Sequence, residues 1–292
     1  MRDSGIYTRK RLRAQGYTDQ DIRRAILSGD LQRLRDGWLA APGHDAAAAT
    51  AVRDGGVLAC VSALSFHRLW VPPGHAGELH LRRSPNLAGK HRACRPLQAP
   101  IRTTPSAVDP VPVALKYAVR CLQPDEWIAV CDSYLNTTRT TVEDLAEAMG
   151  RIGPTLRDLL YRTDPRSQSG TESIARVRLR ALGYDVVVQP SIADAQWADL
   201  RIGTLIIECD SVLHHSSRED YERDHHRDRR TLVDGWMTLR LTYGDIIYGW
   251  DGVLEDIRAI TRTDRHRARS ARARAIVQRS VRSSAGEGNL PE

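Results

Sequence analysis

The spacing of apolar and polar positions over the first 41 residues predicts two helices followed by a hairpin. Helical spacing runs from Ser4 to Gln15, and Thr18 with Asp21 has the spacing of a capping box that opens a second helix. Gly29 ends that helix. Short β-rich runs then lie on either side of Asp36-Gly37, a dipeptide suited to a tight hairpin turn.

Helical spacing returns between Asp45 and Tyr161, with room for one short hairpin between Glu78 and Thr103. Pro, Asp and Thr stand at the predicted helix starts. No constellation of chemically active residues is visible in this region, and its apolar residues are most simply core. The polar run RTDPRSQSG, residues 162–170, predicts a linker to the next domain.

After the linker the pattern becomes helix, strand, strand, strand, helix, strand. The predicted elements are Thr171 to Leu182, Asp185 to Gln189, Trp197 to Ile202, Leu205 to Asp210, Arg218 to Val233 and Trp236 to Thr242. A turn at Gly203 makes a hairpin of the second and third strands. That hairpin places Asp199 near Glu208, and Asp210 shares a strand face with Glu208 because side-chain direction repeats every two residues.

Carboxylates gathered in this way suit a hard divalent cation, which prefers oxygen ligands. We expect Asp199 and Glu208 to hold Mg²⁺, or Mn²⁺, with Asp210 as a further ligand. Glu172 on the opening helix could complete the cluster by holding a metal-bound water or by orienting a catalytic histidine. Viewed singly, each carboxylate has a duller explanation as a helix cap or a partner of arginine.

The runs ESIARVRLRALGYDV, ADLRIGTLIIECDSVLHH and DYERDHHRDRRTLVDGWMTLRLT resemble the very-short-patch-repair (Vsr)-like branch of the PD-(D/E)XK nuclease superfamily. The resemblance covers about 170–260 and implies a catalytic set of Glu172, Asp199, Glu208 and a histidine. Many members place a lysine where Asp210 stands, and no lysine follows Lys116. The resemblance assigns the proton-transfer role to His214, with His215 as the second choice; imidazole suits that role at neutral pH.

The run GYTDQDIRRAILSGDLQRLRDGWLAAPG resembles the winged helix at the start of abortive-infection-type antitoxins. This resemblance implies DNA binding, with the second helix in the major groove and the hairpin, as the wing, on the backbone. Arg227 and Arg240 follow the hairpin of the nuclease-like region. For Arg240 we favour an ion pair with an acidic residue such as Asp228 slightly over a contact with DNA. The candidate DNA-binding residues are Arg9, Lys10, Arg11, Arg23, Arg24, Arg35, Arg227 and Arg240.

Together these patterns predict a multidomain α/β protein. Its parts are a winged helix over 1–42, a mainly helical region over 43–164, a restriction-endonuclease-like α/β domain with a mixed central sheet over 165–262, and a basic tail over 263–292.

Composition and charge fit an intracellular, cytoplasmic protein with an anionic partner. The net charge is +7, and residues 262–292 alone carry eight arginines against three acidic residues. That tail is either a phosphate-binding arm or a solvated segment. The five cysteines are scattered without zinc-like spacing, so we expect reduced thiols, and the histidines at 214, 215, 225 and 226 are only a weak indication of zinc. No apolar run is long enough for a membrane span.

The leading hypothesis is a Mg²⁺-dependent DNA endonuclease for defence or repair that nicks or cuts double-stranded DNA. The alternative is a DNA-binding regulator or antitoxin-like protein with a degenerate nuclease domain. The intact trio of Glu172, Asp199 and Glu208 favours the first. An RNA substrate and a homodimer are left open by the sequence.

Overall fold

The computed structural model of the chain describes residues 2–75, 77–84, 87, 89–97, 106–193, 196–210 and 236–262. Their structure is mixed α/β, as expected, with several sheets of which one is mixed. The chain divides into two compact units. The first comprises Met1–Tyr134 and Thr140–Thr163, and the second comprises Leu135–Arg139 and Asp164–Glu292.

The first unit begins with a strand where the sequence predicted a helix. The expected helix Ser4 to Gln15 is replaced by β1 (Ile6–Thr8) and the shorter α1 (Arg9–Ala14). Ile6 and Thr8 are buried, and β1 pairs antiparallel with a later strand, which overrides the local helical spacing. Thr8 is the N-cap of α1, and its hydroxyl accepts a hydrogen bond from the Arg11 N–H at 3.1 Å.

The second helix and the hairpin follow the prediction. Helix α2 (Asp19–Ser28) has the capping box between Thr18 and Asp21 and ends at Gly29, whose φ is 87°. The hairpin joins β2 (Gln32–Arg35) to β3 (Trp38–Ala40), which lies between β1 and β2 in a three-stranded sheet. Only Gly37 of the turn dipeptide has positive φ, and the register shifts between Arg33 and Arg35. A small apolar core holds these elements together and contains Leu12, Ile22, Leu31 and Leu39.

The remainder of the first unit is mainly helical, as predicted, with one two-stranded antiparallel sheet. Its elements are α3 (Ala46–Arg53), β4 (Gly56–Leu58), α4 (Cys60–Phe66), β5 (Leu81–Arg83), α5 (Val111–Ala118), α6 (Pro124–Thr138), α7 (Val142–Met149) and α8 (Pro154–Tyr161). The end of α6, from Leu135 onward, belongs to the second unit. Strand β5 pairs with β4, so the strand partner lies before Glu78 and outside the predicted hairpin. Trp127 is fully buried, and its indole N–H donates to the Leu115 carbonyl at 3.0 Å.

The described part of the second unit contains a helix, a mixed sheet and two further helices. Its elements are α9 (Gly170–Ala181), β6 (Val187–Val188), β7 (Ser191–Ala193), β8 (Gln196–Trp197), β9 (Leu200–Ile202), β10 (Leu205–Cys209), β11 (Met237–Leu241), α10 (Tyr243–Ile247) and α11 (Trp250–Arg262). The four-stranded sheet has the order β11-β10-β9-β6. β10 pairs antiparallel with β9 and parallel with β11, whereas β7 and β8 pair with each other. The predicted helix Arg218 to Val233 lies outside the described residues.

Candidate active site

Glu172 lies in the first turn of α9 and is buried, at 4% exposure. The Ser169 hydroxyl caps this helix by accepting from the Glu172 N–H at 3.1 Å. The Glu172 carboxylate in turn accepts from the Gln168 N–H at 3.0 Å, which satisfies a backbone donor beside the helix start. A carboxylate this deeply buried needs such donors to remain ionised. Part of the role of Glu172 is therefore to cap α9.

Asp199 lies at the open end of the β9–β10 hairpin, as the sequence predicted. Gly203, with φ of 60°, makes the turn, and Leu200 pairs with Ile207. One residue further along the same register, Asp199 comes opposite Glu208. The Asp199 carboxylate accepts from the Cys209 N–H at 2.7 Å, which holds it against the end of β10.

Gln189 connects the two carboxylates, and sequence reasoning missed it. Its side-chain amide donates to Glu172 at 3.0 Å and lies 3.5 Å from Asp199 Oδ1. Its backbone N–H donates to the Asp199 carbonyl at 2.9 Å. Gln189 also has a φ of 46°, and a non-glycine residue in this region is strained by about 1 kcal/mol or more. Nothing in the local sequence signals this role, because Gln189 meets Glu172 and Asp199 only through tertiary packing.

The electrostatics of the site reflect several carboxylates in one small volume. Burial, followed by the negative charge of Asp199, raises the pKa of Glu172 to about 7. Burial also raises the pKa of the Cys209 thiol, and nearby carboxylates add to the effect. Those carboxylates are Asp199, Glu172, Glu208 and Asp210. The four acidic residues selected from the sequence thus all contribute to the negative potential at Cys209, near the end of β10.

Two of the expected metal ligands are less enclosed. Glu208 is half-buried and lies beside Arg240 in the parallel register of β10 with β11, so opposite charges face each other on adjacent strands. Asp210 is exposed just beyond β10. Among the described residues, no three of the acidic side chains chosen from the sequence have ligand oxygens that all lie within 4.8 Å of one another. His214, His215, Arg227 and Asp228 lie outside the described residues.

Two other groups in the described part of the chain could hold a metal ion, and both lie in the first unit. One consists of Cys60, His80, Cys94 and Cys121, and the other of His75, Glu78 and His80. The expectation that the middle region has no chemical constellation is therefore wrong, since three cysteines that are scattered along the sequence meet there. The fold brings together residues up to 61 positions apart, and no local spacing could have shown it.

The candidate DNA-binding residues of the first unit differ in their solvent exposure and in their contacts with acidic residues. Arg9 and Arg24 contact acidic residues, with Arg9 lying 3.3 Å from Asp19 and Arg24 lying 3.9 Å from Asp21. Arg35 is half-buried and stacks over the Trp38 ring at 5.5 Å. The exposed members of this set are Lys10, Arg11, Arg23 and Arg24.

No protein-family model matches the chain, and no curated protein matches it significantly. No helix in the described part of the chain combines the length and apolar character needed to span a bilayer.

Proposed function

We propose that the chain is a metal-dependent DNA endonuclease whose catalytic centre lies where α9 meets the open end of the β9–β10 hairpin. The observation that carries this proposal is the connection of Glu172 to Asp199 through the Gln189 amide, at the end of the hairpin where Asp199 comes opposite Glu208. A buried Glu172 beside the negative charge of Asp199 is unfavourable for folding, and perturbed carboxylates of this kind are typical of catalytic sites.

The arrangement of the second unit supports a restriction-endonuclease-like fold. An antiparallel hairpin, β9–β10, is followed by the parallel strand β11, and α9 contacts β10. This is the order of elements that the resemblance to Vsr-like nucleases implies. The carboxylates lie at the end of the central strand β10, where neighbouring elements can present further ligands.

The donor atoms of the site fit Mg²⁺ or Mn²⁺ in kind. They are carboxylate oxygens, which hard cations prefer. Burial, followed by the negative charge of Asp199, raises the pKa of Glu172, and a nearby cation would offset both effects. Asp199, Glu208 and Asp210 would hold the ion. When bound, the cation neutralises the charge that develops on the scissile phosphate.

The protein groups around the cation bind and transfer protons. Glu172, with a pKa of about 7, can hold or release a proton at neutral pH. Gln189 positions both Glu172 and Asp199 through neutral amide contacts that do not change with pH. His214 is the proposed base, with His215 as the second choice, as the family resemblance implies.

Plasmid cleavage tests the proposal directly. Supercoiled DNA is incubated with the full chain in Mg²⁺, in Mn²⁺ and in excess EDTA, and the nicked and linear products are measured on gels. We expect products with either metal and none with EDTA. A single-stranded RNA of the same sequence serves as a second substrate, and cleavage of RNA alone would contradict the assignment to DNA. The absence of cleavage on duplex, mismatched and single-stranded DNA would overturn the enzymatic assignment.

A second function, DNA binding without cleavage, is favoured by two specific observations. Glu172 caps α9, and Glu208 lies beside Arg240, so each has a structural role that requires no metal. On this alternative the chain is a transcriptional regulator or antitoxin-like protein with a degenerate nuclease domain. Tight DNA binding together with a failure of plasmid cleavage would select it.

Both functions require the first unit to bind DNA through the predicted winged helix. Lys10, Arg11 and Arg23 are exposed on α1 and α2. Replacing all three with alanine is expected to weaken duplex binding and to reduce the slope of log Kd against log salt by about 2 to 3, since each phosphate contact contributes about 0.9.

The control for this variant removes the same charge elsewhere. Arg53, Arg157 and Arg258 are exposed outside α1 and α2, and their triple alanine variant should leave the slope nearly unchanged. Fluorescence anisotropy of a labelled duplex between about 50 and 200 mM salt measures both variants. Equal changes in the two triple variants would show that α1 and α2 form no specific DNA-binding surface.

A further inference from the structure

Three cysteines and one histidine of the first unit meet from four separate segments. Cys60 is the first residue of α4, His80 directly precedes β5, Cys94 follows β5, and Cys121 lies just after α5. One ligand atom from each side chain lies within 4.8 Å of the other three. The three cysteines are free thiols.

The distances in this cluster match a tetrahedral metal site. The Cys94 and Cys121 sulfurs are 3.9 Å apart, and the Cys94 sulfur lies 3.4 Å from His80 Nδ1. A tetrahedron with Zn–S of about 2.3 Å and Zn–N of about 2.05 Å has S···S edges of about 3.8 Å and S···N edges of about 3.5 Å. A disulfide would instead need sulfurs about 2.05 Å apart.

The backbone around the cluster holds its members in place. The Ala59 N–H, next to Cys60, donates to the His80 carbonyl at 3.0 Å, and the Cys94 N–H donates to the Leu81 carbonyl at 2.7 Å. Cys60 itself has a φ of 51°, an unfavourable conformation for a residue other than glycine. These backbone hydrogen bonds connect the segments that carry Cys60, His80 and Cys94 without help from any metal, so the cluster is prearranged.

The charges in the cluster also suit a cation. Cys60 is fully buried, His80 is buried, and Cys94 and Cys121 are half-buried. Thiolates so close together and so little exposed to water require a positive ion among them.

The outer nitrogen of His80 supports the same conclusion. Nε2 is buried and makes no hydrogen bond within the described structure, and it lies 3.7 Å from the Glu78 carboxylate. Histidines that bind a metal through one nitrogen usually donate the other N–H to a carboxylate or carbonyl. Glu78 is exposed and can close the remaining distance. Its position opposite Nε2 leaves Nδ1 facing the sulfurs.

We propose that Cys60, His80, Cys94 and Cys121 form a structural zinc site in the first unit. Soft thiolates with one imidazole select zinc over magnesium. Four protein ligands leave no open position for a substrate, so the ion stabilises the fold and takes no part in cleavage. The site joins the ends of α4, β5 and α5, three elements that lie apart from one another in the sequence.

Metal analysis of the full chain tests this proposal. Protein purified without added metal is expected to contain about one zinc per chain by mass spectrometry. Cys94→Ser and Cys121→Ser change the two half-buried ligands and should each reduce zinc content by at least half after dialysis. Cys131→Ala, which alters a buried cysteine outside the cluster, is the matched control and should keep its zinc.

Two further measurements keep the test valid if a variant fails to fold. Mercurial titration of the wild type should release zinc into a colorimetric chelator as thiols react, and Co²⁺ replacement should give thiolate charge-transfer bands with tetrahedral d–d bands.

Glu78→Gln should keep zinc but lose it to a chelator about 10-fold faster. Zinc-free protein that takes up neither Zn²⁺ nor Co²⁺ under reducing conditions, unchanged zinc in both serine variants, or a Cys94–Cys121 disulfide would overturn the proposal. Zinc content is independent of DNA cleavage, so the two proposals fail separately.

Discussion

The Asp199→Asn variant is expected to cleave supercoiled plasmid at least about 100-fold more slowly than the wild type in Mg²⁺. Asp199 is the carboxylate at the centre of the proposed site, held between β10 and Gln189. Asparagine removes the charge that would bind the cation, and a 100-fold loss corresponds to about 2.7 kcal/mol of transition-state stabilisation. The amide oxygen of asparagine can still accept from the Cys209 N–H, so the hairpin should remain intact.

Asp256→Asn is the matched control, because Asp256 is exposed on α11 of the same unit. Initial rates of nicking are compared at several Mg²⁺ concentrations, with circular dichroism and thermal melting as checks of folding. An Asp199→Asn protein that cuts at the rate of an active wild type would remove the hairpin from the catalytic centre.

Glu172→Gln is expected to abolish the proposed DNA cleavage and to stabilise the fold at high pH. The pKa of Glu172 is raised to about 7 from an ordinary value of 4.5. A carboxyl group with a raised pKa favours folding while it is protonated, and this contribution is lost as the pH rises from about 4.5 through 7. The shift corresponds to an order-of-magnitude destabilisation of about 3 kcal/mol at pH 8.

The variant lacks this titration, so its free energy of unfolding should exceed that of the wild type at pH 8 by about 1–3 kcal/mol. The range extends down to about 1 kcal/mol because glutamine accepts weaker hydrogen bonds from Gln168 and Gln189 than the carboxylate does, which offsets part of the gain. Urea titrations at pH 5.5 and pH 8 measure the difference, with Glu255→Gln on α11 as the exposed control. A difference that shrinks as the pH rises would show that the carboxylate is not strained by its surroundings. Retained cleavage would remove Glu172 from the catalytic set.

Local sequence signals predicted those parts of the fold that depend on neighbouring residues. The capping box of Thr18 with Asp21 and the glycine that ends α2 need only a few consecutive residues, and both form as expected. The helix expected over Ser4 to Gln15 failed because β1 pairs with β3, about 32 residues later. Pairing over that distance is invisible to a pattern read within one helix length.

The residues of the candidate site also divide into those that local sequence could predict and those that depend on tertiary packing. Asp199 and Glu208 follow from a hairpin with a single turn at Gly203, so their juxtaposition could be predicted. Gln189 could not, since its contacts with Glu172 and Asp199 depend on how α9 packs beside the sheet. The cysteine cluster is the extreme case, because Cys60 and Cys121 are 61 residues apart in the sequence.

Asp199 receives hydrogen bonds from two backbone amides that belong to different strand ends. The Gln189 N–H donates to its carbonyl, and the Cys209 N–H donates to its carboxylate. Exchange of either proton with solvent requires that the corresponding contact open. Protection of these two amide protons therefore measures how firmly the hairpin and its carboxylate are assembled.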